Sequence, residues 1–422
     1  MNSRTSSNFQ RYIEGFLVFL MGFSISLWKP GIYVSSGLIL LYMLVMLTRD
    51  TEYRKQLFSG WVPKAAFALF VLGIVTASIH PGIPSDIAHY ARKAMFLPIV
   101  APLLVMFRSI SNRRWALTGM TIALWIGCSM NLWNIDQLID EQRITATWDV
   151  SALGLMTGLF VTLFTIFAFE ETDRRLKILY SLNAAIAFVI LVLSTSRGPW
   201  IGTFISVALY MIWAHRKLTL WAAIITAVTL ALAWNPLKQL MPATMTNIES
   251  RAVSIFHTEE TESNRIRLTL WKLATAHIKD KWQNDQAAFW LGSGTENHIN
   301  EVREFFARTD SLTDQQKNGL SKWDYPGNDL HNMYLDTTAK MGMIWSPLIF
   351  LFLLALGWSC FKKSRPTNRF PLAGAFLMMN FLVVGFFYDI MLHFGTFFLV
   401  YFVTFAAESG PLPQSTTSLR QA

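Results

Sequence analysis

Four separated stretches of the chain carry side chains suited to displacing a phosphate-linked group. His331 lies in the run Pro326-Gly327-Asn328-Asp329-Leu330-His331-Asn332-Met333-Tyr334-Leu335-Asp336. Pro and Gly end a loop, and Asn328 or Asp329 is a good N-cap for a helix running on through Tyr334 and Thr338. That places His331 in the first helical turn, where the positive helix end favours a neutral ring able to accept a proton. A histidine held at the interface only by capping bonds is the structural alternative. Arg197, in Ser194-Thr195-Ser196-Arg197-Gly198-Pro199-Trp200, occupies an almost absent loop between two apolar segments. An arginine there needs an anionic partner or the water interface. A fixed guanidinium suits a phosphate because its donors form a fork; snorkelling to head groups is the blander reading.

Two further stretches add to these. Asn264-Arg265-Ile266-Arg267-Leu268-Thr269-Leu270-Trp271-Lys272 places two arginines at i, i+2. Such a pair does not share a helix face, so at most one points at any given site and the other is solvated. In Trp290-Leu291-Gly292-Ser293-Gly294-Thr295, the glycines permit a tight turn whose N–H groups can cradle an anion, or a plain turn and nothing more. One base with two or three anion-binding arginines is the inventory the chemistry needs.

The elements that position these residues are membrane helices. Of 422 residues, 53% are hydrophobic and only 15% charged, against about 25% charged in ordinary soluble domains. Mean hydropathy is +0.35. A chain this apolar cannot cover its surface with polar groups in water, which excludes a soluble multidomain enzyme. Windows of about 20 mostly apolar residues, the length that crosses a bilayer, occur at 13–28, 32–48, 65–79, 94–107 (extending back through Lys93), 115–134, 151–169, 178–195, 198–214, 219–234, 342–359, 371–387 and 389–407. Sustained period-2 alternation is absent, so the reading is an all-α polytopic bundle of about twelve spans, not a β-barrel.

Orientation follows from Lys and Arg in the short loops. With the N-terminus in the cytoplasm, 19 basic residues fall in cytoplasmic segments and 5 (Lys29, Arg92, Lys93, Arg143, Arg197) in short outer loops. Both termini are then cytoplasmic. The remaining 12 basic residues lie between Pro236 and Lys340 among 14 acidic ones. This places one large, nearly neutral loop outside, with all four stretches on the outer face. The expected organisation is an N-terminal bundle of about nine spans (1–234), a loop or cap with helices (235–330), three C-terminal spans (331–408) and a disordered cytoplasmic tail (409–422). Apolar positions Leu268, Trp271, Leu273 and Ile278 predict a helix within the cap, which is expected to fold against the bundle.

The net charge of +9 is thus mostly a topology signal and does not imply nucleic acid. The first apolar segment is followed by Trp28-Lys29-Pro30 and then directly by another, so no cleavable signal is expected. Cys128 and Cys360 fall toward opposite membrane faces, which argues against a disulfide. No C-x-x-C, H-E-x-x-H, D-x-D or Walker pattern occurs, so neither a metal nor an ATP-driven cycle is read here.

Taken together, these residues resemble the bacterial O-antigen ligases, within the group that also holds O-antigen polymerases and protein O-oligosaccharyltransferases. The family signature near the end of its large periplasmic loop is His, then Asn, Ser or Gln, nine residues, Gly, two residues and a small residue. His331-Asn332 and Gly342 fit it, whereas Trp345 stands in the small-residue place. The Ser196-Arg197-Gly198 turn, the Arg267…Trp271 spacing, the Gly292-x-Gly294 turn, the span number and the single large loop are similar too.

The resemblance implies a GT-C-like membrane glycosyltransferase of lipopolysaccharide biosynthesis, inverting and independent of metal, ATP or other cofactor. It would move O-antigen from undecaprenyl diphosphate to lipid A–core oligosaccharide at the periplasmic face of the inner membrane. In that reading His331 is the catalytic base. Arg197 and Arg267, with Arg265, clamp the donor diphosphate, and Asn332, Gly292, Gly294 and Tyr334 support the site. A polymerase or a protein-directed transferase of the same group is the nearest alternative; the 422-residue length leans toward a ligase. A lipid-linked glycan flippase is the more distant one. It would call for ionisable residues at membrane depth, for which His393 and, at the edge of its span, Asp389 are the candidates.

Overall fold

The computed structural model describes residues 3–79, 83–133, 148–217, 232–236, 238–239, 242–253, 262–322 and 330–410. Among the described residues there are eighteen helices and no strand, only an isolated bridge between Arg365 and Asn368. Eleven of the twelve apolar windows fall on helices. The window 219–234 lies almost wholly outside the described residues, as do Asn328, Asp329 and the tail beyond 410. Length and apolarity suffice for a span in Lys29–Arg49, Val150–Glu170, Arg174–Leu193 and Met333–Lys363. Thr51–Leu57 and Trp61–Ala77, bent by 81° at their break, make a fifth if taken together. All-helical among its described residues, the protein is a polytopic membrane protein.

The burial pattern is that of a bundle in lipid. Val150–Glu170 and Phe394–Glu408 are buried along nearly their whole lengths. The flanking helices turn large apolar side chains outward, among them Leu41 and Leu44 on Lys29–Arg49 and Phe188 and Val189 on Arg174–Leu193. In water such patches would be costly; in a bilayer they are the solvated surface. Polar side chains clasp the centre. Asn380 Nδ2 donates to the Gly158 carbonyl at 3.1 Å and to the Thr162 and Thr203 hydroxyls at 2.9 and 3.2 Å. One amide thereby ties Leu372–Val384 to Val150–Glu170 and Arg197–Ala214.

The window at 94–107 does not extend back through Lys93. Ile83–Lys93 and Phe96–Met106 are separate helices, because Pro98 has no N–H for the Ala94 carbonyl that a continuous helix would pair with it. Ile83–Lys93 is instead anchored sideways. Asp86 accepts from the Glu296 amide at 2.9 Å, and the Tyr90 hydroxyl donates to the Leu69 carbonyl at 3.2 Å.

In sequence the cap lies between the ninth and tenth windows, 219–234 and 342–359. Its helices Glu262–Asn284, His298–Arg308 and Asp314–Ser321 share an apolar cluster of Leu270, Leu273, Ala274, Val302, Phe305 and Leu320. Ala339, from the long helix Met333–Lys363, belongs to the same cluster, so cap and bundle bury one continuous surface. Leu268, expected on the buried face, is 44% exposed; Leu270 and Ala274 take that face instead.

Candidate active site

Met333–Lys363 begins at Asn332, whose side-chain oxygen accepts from the Tyr334 and Leu335 amides at 3.0 and 3.1 Å. His331 therefore precedes the helix and is not in its first turn. Its φ of 50° is in the left-handed region, which costs a non-glycine residue about 1 kcal/mol or more. Its neighbours hold it there. Trp271 Nε1 donates to the His331 carbonyl at 3.1 Å, the Met333 amide to the Gly385 carbonyl at 2.7 Å, and the Leu330 amide to Asp336 Oδ1 at 3.4 Å. The cap, the helix and the 385–393 loop thus converge on the short stretch Leu330–Met333 around His331.

His331 lines a cavity of about 560 Å³. Its walls come from five places: His89 and Lys93, the Asp149–Ala152 helix start, Thr295, Lys340, and the stretch Tyr388–His393. Tyr388 is the link to the arginines. The Arg267 guanidinium lies over its ring, 5.1 Å from the centroid, and its hydroxyl is 2.9 Å from Ser196 Oγ. A side chain at Gly198 would meet the Tyr388 ring at 2.8 Å, so Arg197 is bracketed by two residues packed on Tyr388. Arg197 itself is buried at the first turn of Arg197–Ala214.

Arg265 is elsewhere. Two residues advance a helix by about 200°, and Arg265 lines a different, more open cavity with Lys272, Gln315 and Gln316. Tyr334 also stands apart from the His331 cavity. Its hydroxyl donates to the Leu382 carbonyl at 2.7 Å and its ring packs on Phe350 and Phe386, which makes it a packing residue.

The glycine turn is a backbone joint. Gly292, Gly294 and Gly342 all have positive φ. A Cβ on Gly292 would lie 2.3 Å from the Lys340 carbonyl, and one on Gly342 would lie 2.3 Å from the Gly292 nitrogen. The amides of Ser293 and Gly294 both donate to the Lys340 carbonyl at 3.1 Å, and that of Gly292 donates to Ala288. These three N–H groups are committed to carbonyls and do not form an anion cradle. Gly342 breaks the helical dihedrals of Met333–Lys363 where the turn docks. Trp345, in the small-residue place of the signature, is buried and donates to the Leu69 carbonyl at 3.1 Å.

Charge lies close behind His331. The Lys340 ammonium bridges Asp336 at 2.5 Å and Asp389 at 2.9 Å, and His298 Nε2 is 3.9 Å from Asp336. Burial holds His298 well below the usual histidine range, and the Lys340 and Lys281 ammoniums add to this. It is a neutral ring there. Lys281 in turn pairs with Glu301 at 3.2 Å, donates to the Ala339 carbonyl at 3.0 Å and bonds Ser293 Oγ. Among the described residues no three His, Cys, Asp or Glu side chains form a metal donor set.

Sequence reasoning missed Tyr388 and the Lys340–Asp336–Asp389 cluster as parts of the site. Asp389 and His393 had drawn notice only as ionisable residues near a span; both line the His331 cavity. Their signal was a Tyr-Asp pair interrupting two apolar windows, which linear hydropathy reads as a boundary.

Residues 182–344 match the model of the family described as O-Antigen ligase. This is less than half of the chain, and it places that segment in the O-antigen ligase superfamily. It contains Arg197, Arg265, Arg267, the glycine turn, His331, Asn332 and Gly342, and excludes Tyr388, Asp389, His89 and Lys93. No curated protein matches the chain.

Proposed function

With residues 182–344 in the O-antigen ligase superfamily, we propose that the protein is a glycosyltransferase that moves O-antigen from undecaprenyl diphosphate to lipid A–core oligosaccharide. The observation that carries this reading is the joining of Arg267 and the Ser196-Arg197 turn to the His331 cavity through Tyr388. In this reading the site faces the periplasm, in an inner-membrane protein with both termini in the cytoplasm.

The donor carries its own activation. A hydroxyl oxygen of the acceptor attacks the anomeric carbon, and its proton passes to the His331 ring. The bond from that carbon to the phosphate oxygen breaks, and the electron pair leaves with the diphosphate. Arg267 and Arg197 stabilise the charge that develops on the leaving group. Attack opposite the leaving group inverts the anomeric centre. The His331 backbone is held by the Trp271 indole and by the bonds of its neighbours Leu330 and Met333, and proton transfer to a ring so placed contributes about 10²–10⁴-fold.

The test is purified protein given lipid-linked glycan with either lipid A–core or a second lipid-linked glycan. Transfer to lipid A–core supports a ligase. Elongation of the second lipid-linked chain instead would make the protein a polymerase.

A further inference from the structure

Among the ionisable groups on the walls of the His331 cavity, Lys93 stands out by what it lacks. Asp149 caps Val150–Glu170 through the Ala152 amide at 2.9 Å, and lies 3.6 Å from Lys29. Asp389 and Lys340 are paired with each other at 2.9 Å. Among the described residues Lys93 has no ion pair and no side-chain hydrogen bond, yet it is half-buried and faces the open volume. Burial lowers its affinity for the proton, and nearby Asp389 offsets that only in part. A partly dehydrated ammonium facing a cavity wants an anion, and the described residues supply none at contact distance.

The helix that carries it is built to hold still. Asp86 bonds the Glu296 amide. Tyr90 bonds the Leu69 carbonyl and meets Trp345 edge to face at 6.1 Å. His89, one turn before Lys93, lines the same cavity, and burial together with the Lys93 and Arg92 charges holds its ring neutral as a donor beside the ammonium. The charges that act on Lys93 are those of Asp389, Lys340, Arg92 and Asp336. Lys93 lines the cavity itself, whereas Arg267 and the Ser196-Arg197 turn are joined to it through Tyr388, so Lys93 adds a positive centre of its own to the cavity wall.

We propose that Lys93, with His89 beside it, binds an anionic substituent of the acceptor, a phosphate or a carboxylate, and so seats the acceptor hydroxyl in the His331 cavity. The proposal rests on the ligase reading for the identity of the acceptor. A lysine suits this role because it acts as a point charge and needs no bidentate geometry.

The test uses the full-length purified protein, lipid-linked glycan as donor, and three acceptors: native lipid A–core, the same after phosphatase treatment, and the same with its carboxylates amidated. Lys93→Gln should raise the acceptor KM by about tenfold, the worth of one charge-assisted hydrogen bond, and leave the donor KM unchanged. Lys93→Arg should restore most of the loss. One of the two neutralised acceptors should bind wild-type protein as weakly as native acceptor binds Lys93→Gln, and should be indifferent to the substitution. A rise in donor KM, or equal use of all three acceptors by wild type and Lys93→Gln, would overturn the proposal. Direct binding of native acceptor to wild type and Lys93→Gln, without donor, keeps the two readings apart. If wild-type protein transfers nothing but binds acceptor in a Lys93-dependent way, the ligase reading fails and the anion site stands. If Lys93→Gln is misfolded by size exclusion, His89→Gln serves as the second variant, with a smaller rise in acceptor KM expected.

Discussion

Arg267 rests on the face of Tyr388, its guanidinium carbon 5.1 Å from the ring centroid. The two residues are far apart in sequence, one on the cap helix Glu262–Asn284 and the other in the loop before the last helix. Their contact brings the cap's arginine to the wall of the cavity that His331 lines.

Removing the ring should therefore act like mispositioning the arginine. A cation–π contact of this kind contributes about 0.5–2 kcal/mol, so Tyr388→Leu should lower kcat/KM for transfer by roughly 2- to 30-fold. Tyr388→Phe keeps the ring, loses only the hydroxyl contact to Ser196, and should fall by less. In the double variant with Arg267→Ala, Tyr388→Leu should add no more than the smaller loss seen for Tyr388→Phe.

The two arginines of the i, i+2 pair should separate cleanly. Arg267→Ala should lose on the order of 100-fold in transfer, as removal of a charge-stabilising donor does. Arg265, which lines the other cavity, should tolerate alanine with a change of about twofold or less, the usual range for a surface substitution. Side-by-side rates on one acceptor decide this.

The glycine joint makes a stability prediction. Gly292→Ala and Gly342→Ala each force a Cβ to 2.3 Å from backbone atoms at positive φ, and should cost about 2 kcal/mol or more. Gly319, with open space around its Cα, should accept alanine without loss. Thermal unfolding in detergent reads the difference.

The cap should be acid-sensitive. Burial holds His277 down to about 3, with Lys281 adding to the effect, and His298 is held well below its usual range. In the unfolded chain both rings protonate near pH 6.5, so the unfolded state binds more protons below that value and stability rises with pH. The contribution is complete above pH 6.5 and falls as pH drops from there toward the depressed values. Each ring accounts for up to about 1.4 kcal/mol per pH unit across that window. Thermal stability should therefore fall between pH 7 and 5, and less steeply in His277→Asn.

Much of this arrangement was legible in the sequence, and the reasons for the rest are specific. Apolar windows located the helices because burial in lipid demands nearly unbroken apolar runs. His331, the arginine pair and the Gly292-x-Gly294 turn stood out because each interrupts its surroundings with a residue that has a chemical or conformational purpose. The helix start was misplaced because Asn332 also caps well, and a left-handed histidine has no signal in a pattern of side-chain types. Tyr388 and Lys340 stayed hidden because their meaning lies in contacts across long sequence separations, and Lys93 because its meaning lies in the cavity it faces. Lys340 looked like one charge in a neutral loop, and Lys93 like one topology signal among many.

The most direct test is a single-turnover ligation assay with purified protein, lipid-linked glycan and lipid A–core, comparing wild type with His331→Ala in excess EDTA. Wild type should transfer the glycan, and His331→Ala should be slower by about 10²–10⁴-fold while still binding donor. Transfer by His331→Ala at the wild-type rate, or loss of wild-type transfer in EDTA that added metal restores, would contradict the proposed chemistry.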